Sequence, residues 1–121
     1  MTLSQCYAAL GGDYDEVLGR LRSESLVQKF VLKFLSDPSF QLLEDSLAAK
    51  NWAEAFRGAH TLKGVCQNLS FTALYRSSAL LCDDLRGGSG SPDTLHLADQ
   101  VREDYRRTVE AIAAFQTSLP V

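Results

Sequence analysis

Apolar residues recur at three- and four-residue intervals through almost every segment of this 121-residue chain, and that pattern confines it to helices. Leu26, Val27, Phe30, Val31 and Phe34 form one such stripe, and Leu74, Ser78, Leu81 and Leu85 form another. Leu95, Ala98, Val101, Tyr105, Thr108, Ile112 and Phe115 keep the same rhythm, suited to packing along a bundle. No run of alternating polar and β-branched residues is long enough to nominate a strand. The expected fold class is therefore all-α.

The punctuation divides this pattern into elements. Asp13 opens a short helix with Tyr14, Val17, Leu18 and Leu21 on one side, and Ser23 caps the next. That second helix should stop near Ser36-Asp37, because Pro38 restricts the residue before it. A third carries Phe40, Leu43 and Leu47 as its buried stripe and ends near Lys50-Asn51, and a fourth spans about 52–69. Ser70 or Phe71 marks a brief break, and Gly87-Gly88-Ser89-Gly90-Ser91-Pro92 is a loop by composition. The expected architecture is a four-helix bundle with one or two short accessory helices at the N-terminus. At this length, with 45% hydrophobic residues, residues 1–121 are expected to form one domain around one core.

Charge narrows the partners. A net charge of −3 without a dense Lys/Arg run argues against nucleic acid or an anionic membrane surface. No segment approaches the ~18 consecutive apolar residues of a membrane span, so a cytoplasmic protein is expected. Cys6, Cys66 and Cys82 leave one thiol unpaired in any disulfide scheme and show no C-x-x-C spacing, so reduced core cysteines are expected.

Chemistry concentrates on the fourth helix. Each residue turns an α-helix by about 100°, which sets Ala55, Ala59, Leu62, Cys66 and Leu69 on the side roughly opposite His60. Lys63, Gly64, Gln67 and Arg57 fall within about 60° of His60. Phe56, one turn earlier, leans to the same side as the odd apolar member of a polar face. An exposed, neutral imidazole is a nucleophile, and Lys63 would attract an incoming phosphoryl group while disfavouring a second positive charge on the ring. Gly64 costs about 1 kcal/mol relative to Ala in mid-helix, and the absence of a side chain would let another protein's active site close over His60. Gln67 or Asn68 offers a hydrogen-bonding partner for phosphoryl oxygens. Against this stands the plainer view that a lone exposed histidine is a solvated residue and Lys63 ordinary surface charge.

The string Ala59-His60-Thr61-Leu62-Lys63-Gly64-Val65-Cys66-Gln67-Asn68-Leu69 resembles the signature of histidine-containing phosphotransfer (HPt) domains. The resemblance runs from roughly residue 13 onward and is sharpest from Trp52 to Leu85. It implies phosphorylation of His60, with Lys63 as electrostatic support and Gly64 as steric clearance, while Gln67 or Asn68 stays the candidate hydrogen-bonding partner read from the helix. It implies exchange with an aspartate on the receiver domain of a response regulator or hybrid sensor kinase, whose own acidic site holds the Mg²⁺. No metal or cofactor is then expected in this chain. Receiver domains dock on an apolar patch around the histidine, for which Phe56 is the candidate, with Arg57 and Asn68 as further partner contacts. Packing between helices is an equally good use for Phe56. Ser70 departs from the family, which often has a glycine closing this helix.

The implied activity is that of a phosphorelay carrier with no kinase domain of its own, not an enzyme. His60 has no Ser, Cys or Asp at helical spacing that would make a hydrolytic constellation. A metal site from His60, His96 and Asp83 or Asp84 has no supporting spacing. The competing reading is a helical adaptor that binds signalling partners without being phosphorylated. No exposed apolar heptad face stands out, so a monomer is expected.

Overall fold

The computed structural model describes residues 1–120, leaving Val121 outside the description. Four helices make the bundle: α4 (Ser39–Ala48), α5 (Trp52–Leu69), α6 (Thr72–Leu85) and α7 (Thr94–Ser118). Before them come α1 (Leu3–Leu10), α2 (Tyr14–Leu21) and α3 (Glu24–Lys33), the last continuing into a 3₁₀ turn at Phe34–Ser36. The described residues contain no strand, so the all-α expectation holds. None of their helices is long and apolar enough to cross a membrane.

Helix α5 packs against both α4 and α6, and α6 packs against α7. The circuit closes between α4 and α7. There Phe40 stacks on Tyr105 with centroids 3.8 Å apart and planes 4° from parallel, and Arg102 Nε donates to both carboxylate oxygens of Glu44 at 2.9 Å. Asn51 caps α5, its side-chain oxygen accepting from the Glu54 amide, and Glu54 places negative charge in the first turn, where the helix dipole favours it. Between α6 and α7, the Asp84 carboxylate accepts hydrogen bonds from the hydroxyls of Ser91 and Thr94 and so ties the Gly/Ser loop back to α6.

The periodicity identifies most of the inward faces. On α3 the buried stripe is Val27, Val31 and Phe34, an i, i+4, i+7 series. Leu26 and Phe30 lie beside that stripe and are exposed at 41% and 36%, where equal burial with their neighbours was expected. On α7 the inward series starts at Thr94, whose hydroxyl turns in to Asp84, and continues through Ala98 and Val101. Leu95, one position off that series, is 71% exposed and does not belong to the packing stripe.

Helix α1 is an addition to the expected accessory helices. Thr2 and Gln5 form a reciprocal capping box at its start, and Leu3, Cys6, Tyr7 and Leu10 are buried. The helix lies along α7, with the Cys6 thiol directed at the Ala111 carbonyl (3.6 Å) and Arg107 Nε donating to the Ala9 carbonyl (2.7 Å).

Candidate functional site

Helix α5 divides cleanly into two sides. Ala55, Gly58, Ala59, Leu62, Cys66 and Leu69 are buried among α4, α6 and the core. His60, Thr61, Gln67 and Asn68 are exposed, with Lys63 and Gly64 partly so. Burying the apolar side is what fixes the helix's rotation, and that rotation turns His60 to solvent. A Cβ added at Gly64 would meet nothing within 4 Å, so the surface beside His60 is open there. Gly58 has the opposite setting, facing the backbone of Leu43 on α4.

Phe56 is half-buried, packs on the core, and lies 5.9 Å from His60 between ring centroids with the planes 27° apart. The guanidinium of Arg86, from the end of α6, sits over the Phe56 ring at 5.4 Å. Lys63 has no carboxylate partner among the described residues. Arg57, by contrast, pairs with Glu54 at 3.2 Å on the exposed side. Burial raises the pKa of the Cys82 thiol, and the charges of Lys63 and Arg86 partly offset that rise. Arg86 was not among the residues singled out from the sequence, because its approach depends on the α5–α6 packing.

The far end of α5 is held by the N-terminal helices. Ser70 ends the helix in the left-handed region (φ 57°, ψ 39°), the conformation in which a glycine is most at ease. Its hydroxyl donates to Glu16 Oε1 at 2.7 Å and accepts from Arg20 Nη1 at 3.0 Å. Arg20 Nη1 also donates to the Asn68 carbonyl at 2.7 Å, and Tyr7 Oη donates to the Leu69 carbonyl at 2.8 Å. The Asp13 amide takes the Ser70 carbonyl at 2.9 Å. Three carbonyls that have no partner within α5 are thus satisfied by α1, α2 and the turn between them.

Beside this end lies a groove of about 510 Å³ between α5 and the α2–α3 segment, with Leu21, Phe30, Phe34, Pro38, Val65 and Leu69 as its apolar lining and Arg20, Lys33, Asp37 and Asn68 at its polar positions. Asn68 therefore faces a different neighbourhood from Gln67. Phe30, exposed at 36%, contributes to the lining of this groove, and the sequence alone does not show that it is left uncovered.

His96 is exposed near the start of α7. Among the described residues no three His, Cys, Asp or Glu side chains lie together in a group able to hold a metal ion. The arrangement on α5 offers instead an accessible imidazole, an adjacent unpaired ammonium and an open approach, which are the requirements for accepting an anionic phosphoryl group.

A protein-family model described as Hpt domain matches residues 32–114, well over half of the chain. The match takes in the last residues of α3 and all of α4, α5 and α6, and ends inside α7, so α1 and α2 lie outside it. Comparison with curated proteins and with solved structures gives no match. The helical bundle and the family match agree, and the chain belongs to the Hpt domain family, the phosphotransfer carriers of two-component phosphorelays.

Proposed function

We propose that this protein is a phosphorelay intermediate in which His60 takes a phosphoryl group from a receiver-domain aspartate, or from a hybrid kinase, and passes it to the aspartate of another receiver. The observation that carries the reading is the exposure of His60 on α5 beside Lys63 and Gly64. The unprotonated ring nitrogen attacks phosphorus as the bond to the aspartyl oxygen breaks, and the carboxylate is released. The reverse reaction on the second receiver regenerates the free imidazole. Lys63 draws the phosphoryl oxygens toward the ring, and Gln67, on the same face, donates an amide hydrogen bond to them. Gly64 leaves room for the receiver's acidic site to close over His60.

Docking in this reading spreads from His60 toward the groove, with Asn68 at its edge and Arg57 on the exposed side of α5. The test is the discharge of a phosphorylated receiver. Wild-type protein should accelerate loss of the aspartyl phosphate and His60→Gln should not. Equal acceleration by both, or binding of the receiver with no transfer by wild type, would replace the carrier with a non-phosphorylated adaptor.

A further inference from the structure

His60 has no hydrogen-bond partner among the described residues, so nothing polar among them fixes the direction of its ring. Transfer of a phosphoryl group requires the attacking nitrogen to lie in line with the bond that breaks, and a ring turning freely about two torsions seldom does. The contact that does limit the ring is with Phe56: centroids at 5.9 Å, planes 27° apart, within the range of a favourable offset aromatic pair. We propose that Phe56 is a positioning residue for phosphotransfer, holding the His60 ring in its attacking orientation, and that Arg86 holds Phe56. The inference rests on the reading of His60 as the phosphoryl acceptor.

Two observations support it. Phe56 is itself anchored, because part of its ring packs on the core while the remainder meets His60. Arg86 reaches the ring from another helix, 5.4 Å from its centroid, and is itself restrained. Its Nη2 donates to Asp83 Oδ1 at 3.0 Å, and its backbone leaves α6 in an extended conformation just before Gly87 turns the chain at φ 96°. The planar ring also explains why an aromatic stands here: a leucine would fill the same edge of the core without offering a flat face to the imidazole.

The experiment measures transfer from a phosphorylated receiver over a range of receiver concentrations, for wild type, Phe56→Leu, Phe56→Tyr and Arg86→Gln. His60 ring-proton shifts are followed by NMR in each. Phe56→Leu should lower the saturating rate roughly tenfold while the receiver concentration at half-saturation stays within about twofold, because orientation and not binding is lost. Phe56→Tyr should restore the rate, and the His60 shifts should move in the leucine variant but not in the tyrosine one. Arg86→Gln, on an exposed side chain that leaves the core intact, should lower the saturating rate by roughly threefold, and carries the test should Phe56→Leu fail to fold. Weakened half-saturation with an unchanged saturating rate would make Phe56 a docking contact and overturn the proposal. Unchanged rates in both Phe56→Leu and Arg86→Gln would reduce Phe56 to a filler. Failure of wild-type His60 to accept phosphate removes the underlying reading as well, and is a separate, visible result.

Discussion

Gly58 on α5 lies against the backbone of Leu43 on α4, so closely that an added Cβ would stand 3.0 Å from both the Leu43 Cα and its amide nitrogen. Six positions further along, a Cβ at Gly64 would meet nothing. One glycine lets two helices approach, and the other leaves a surface clear. Gly58→Ala is therefore expected to destabilise the bundle by about 1–3 kcal/mol, because main-chain atoms cannot swing aside as a side chain would. Gly64→Ala should stabilise it by up to about 1 kcal/mol through better helix propensity. The same Gly64→Ala change should slow transfer from a receiver by roughly tenfold, through displacement of the docked partner. Denaturant unfolding of the two variants, read beside transfer rates, checks both signs.

Lys63→Ala should leave the unfolding midpoint nearly unchanged, since Lys63 has no carboxylate partner among the described residues. It should lower the transfer rate on the order of tenfold to a hundredfold, the usual scale for removing one charge aimed at a developing phosphoryl anion. Lys63→Arg should recover part of the rate. A full rate in Lys63→Ala would remove this residue from the mechanism.

At Ser70 the left-handed backbone and the hydrogen bonds to Glu16 and Arg20 pull in different directions. Ser70→Ala keeps the strain and loses the hydroxyl, and is expected to cost about 1–3 kcal/mol, since Glu16 and Arg20 both lose a partner. Ser70→Gly relieves the strain while losing the same bonds, so its unfolding free energy should stay within about 1 kcal/mol of wild type. Both variants should show faster amide hydrogen exchange in α2, because one of the ties between α2 and the end of α5, the Ser70 hydroxyl, is gone. Unchanged exchange in α2 would mean that the Asp13 amide, the Arg20 bond to the Asn68 carbonyl and the packing of Val17 hold that helix without the hydroxyl.

Burial pushes the Cys6 thiol up from 9.0 to about 11, and the thiols of Cys66 and Cys82 also move up, chiefly through burial. The folded protein thus retains protons that the unfolded chain gives up above its ordinary thiol range. The stability this contributes is whole below about pH 9 and is lost as pH rises through about 11. The denaturant midpoint should be flat through neutral pH and fall between these values, and Cys6→Ala should flatten part of the fall. All three thiols should resist a thiol reagent in the folded state at neutral pH. A midpoint that holds steady to pH 11 would contradict the assignment.

The sequence carries the α5 face well because helix geometry leaves no freedom: once Ala55, Ala59, Leu62, Cys66 and Leu69 are taken inward, the direction of His60 follows. The fold class and the span of α5 are legible for the same reason. The helix at residues 3–10 has a readable signal in Thr2, Gln5 and the series Leu3, Cys6, Tyr7 and Leu10. Leu26, Phe30 and Leu95 are a different matter, since an apolar stripe reports which residues share a side but not whether a neighbouring helix covers it. Arg86 over Phe56, and Arg20 with Glu16 at Ser70, join residues from separate helices, and no local spacing encodes them. Ser70 shows the cost of reading a departure from a family pattern alone. The turn keeps the left-handed geometry that a glycine would supply, and its hydroxyl is taken up by α2.

Whether His60 is the phosphoryl acceptor is decided by measuring covalent phosphate on the chain after incubation with a phosphorylated receiver domain. One acid-labile, base-stable phosphoryl group per molecule is expected, mapped to His60 and absent from His60→Gln. No such phosphate on the wild-type chain, or an equal amount on His60→Gln, would contradict it.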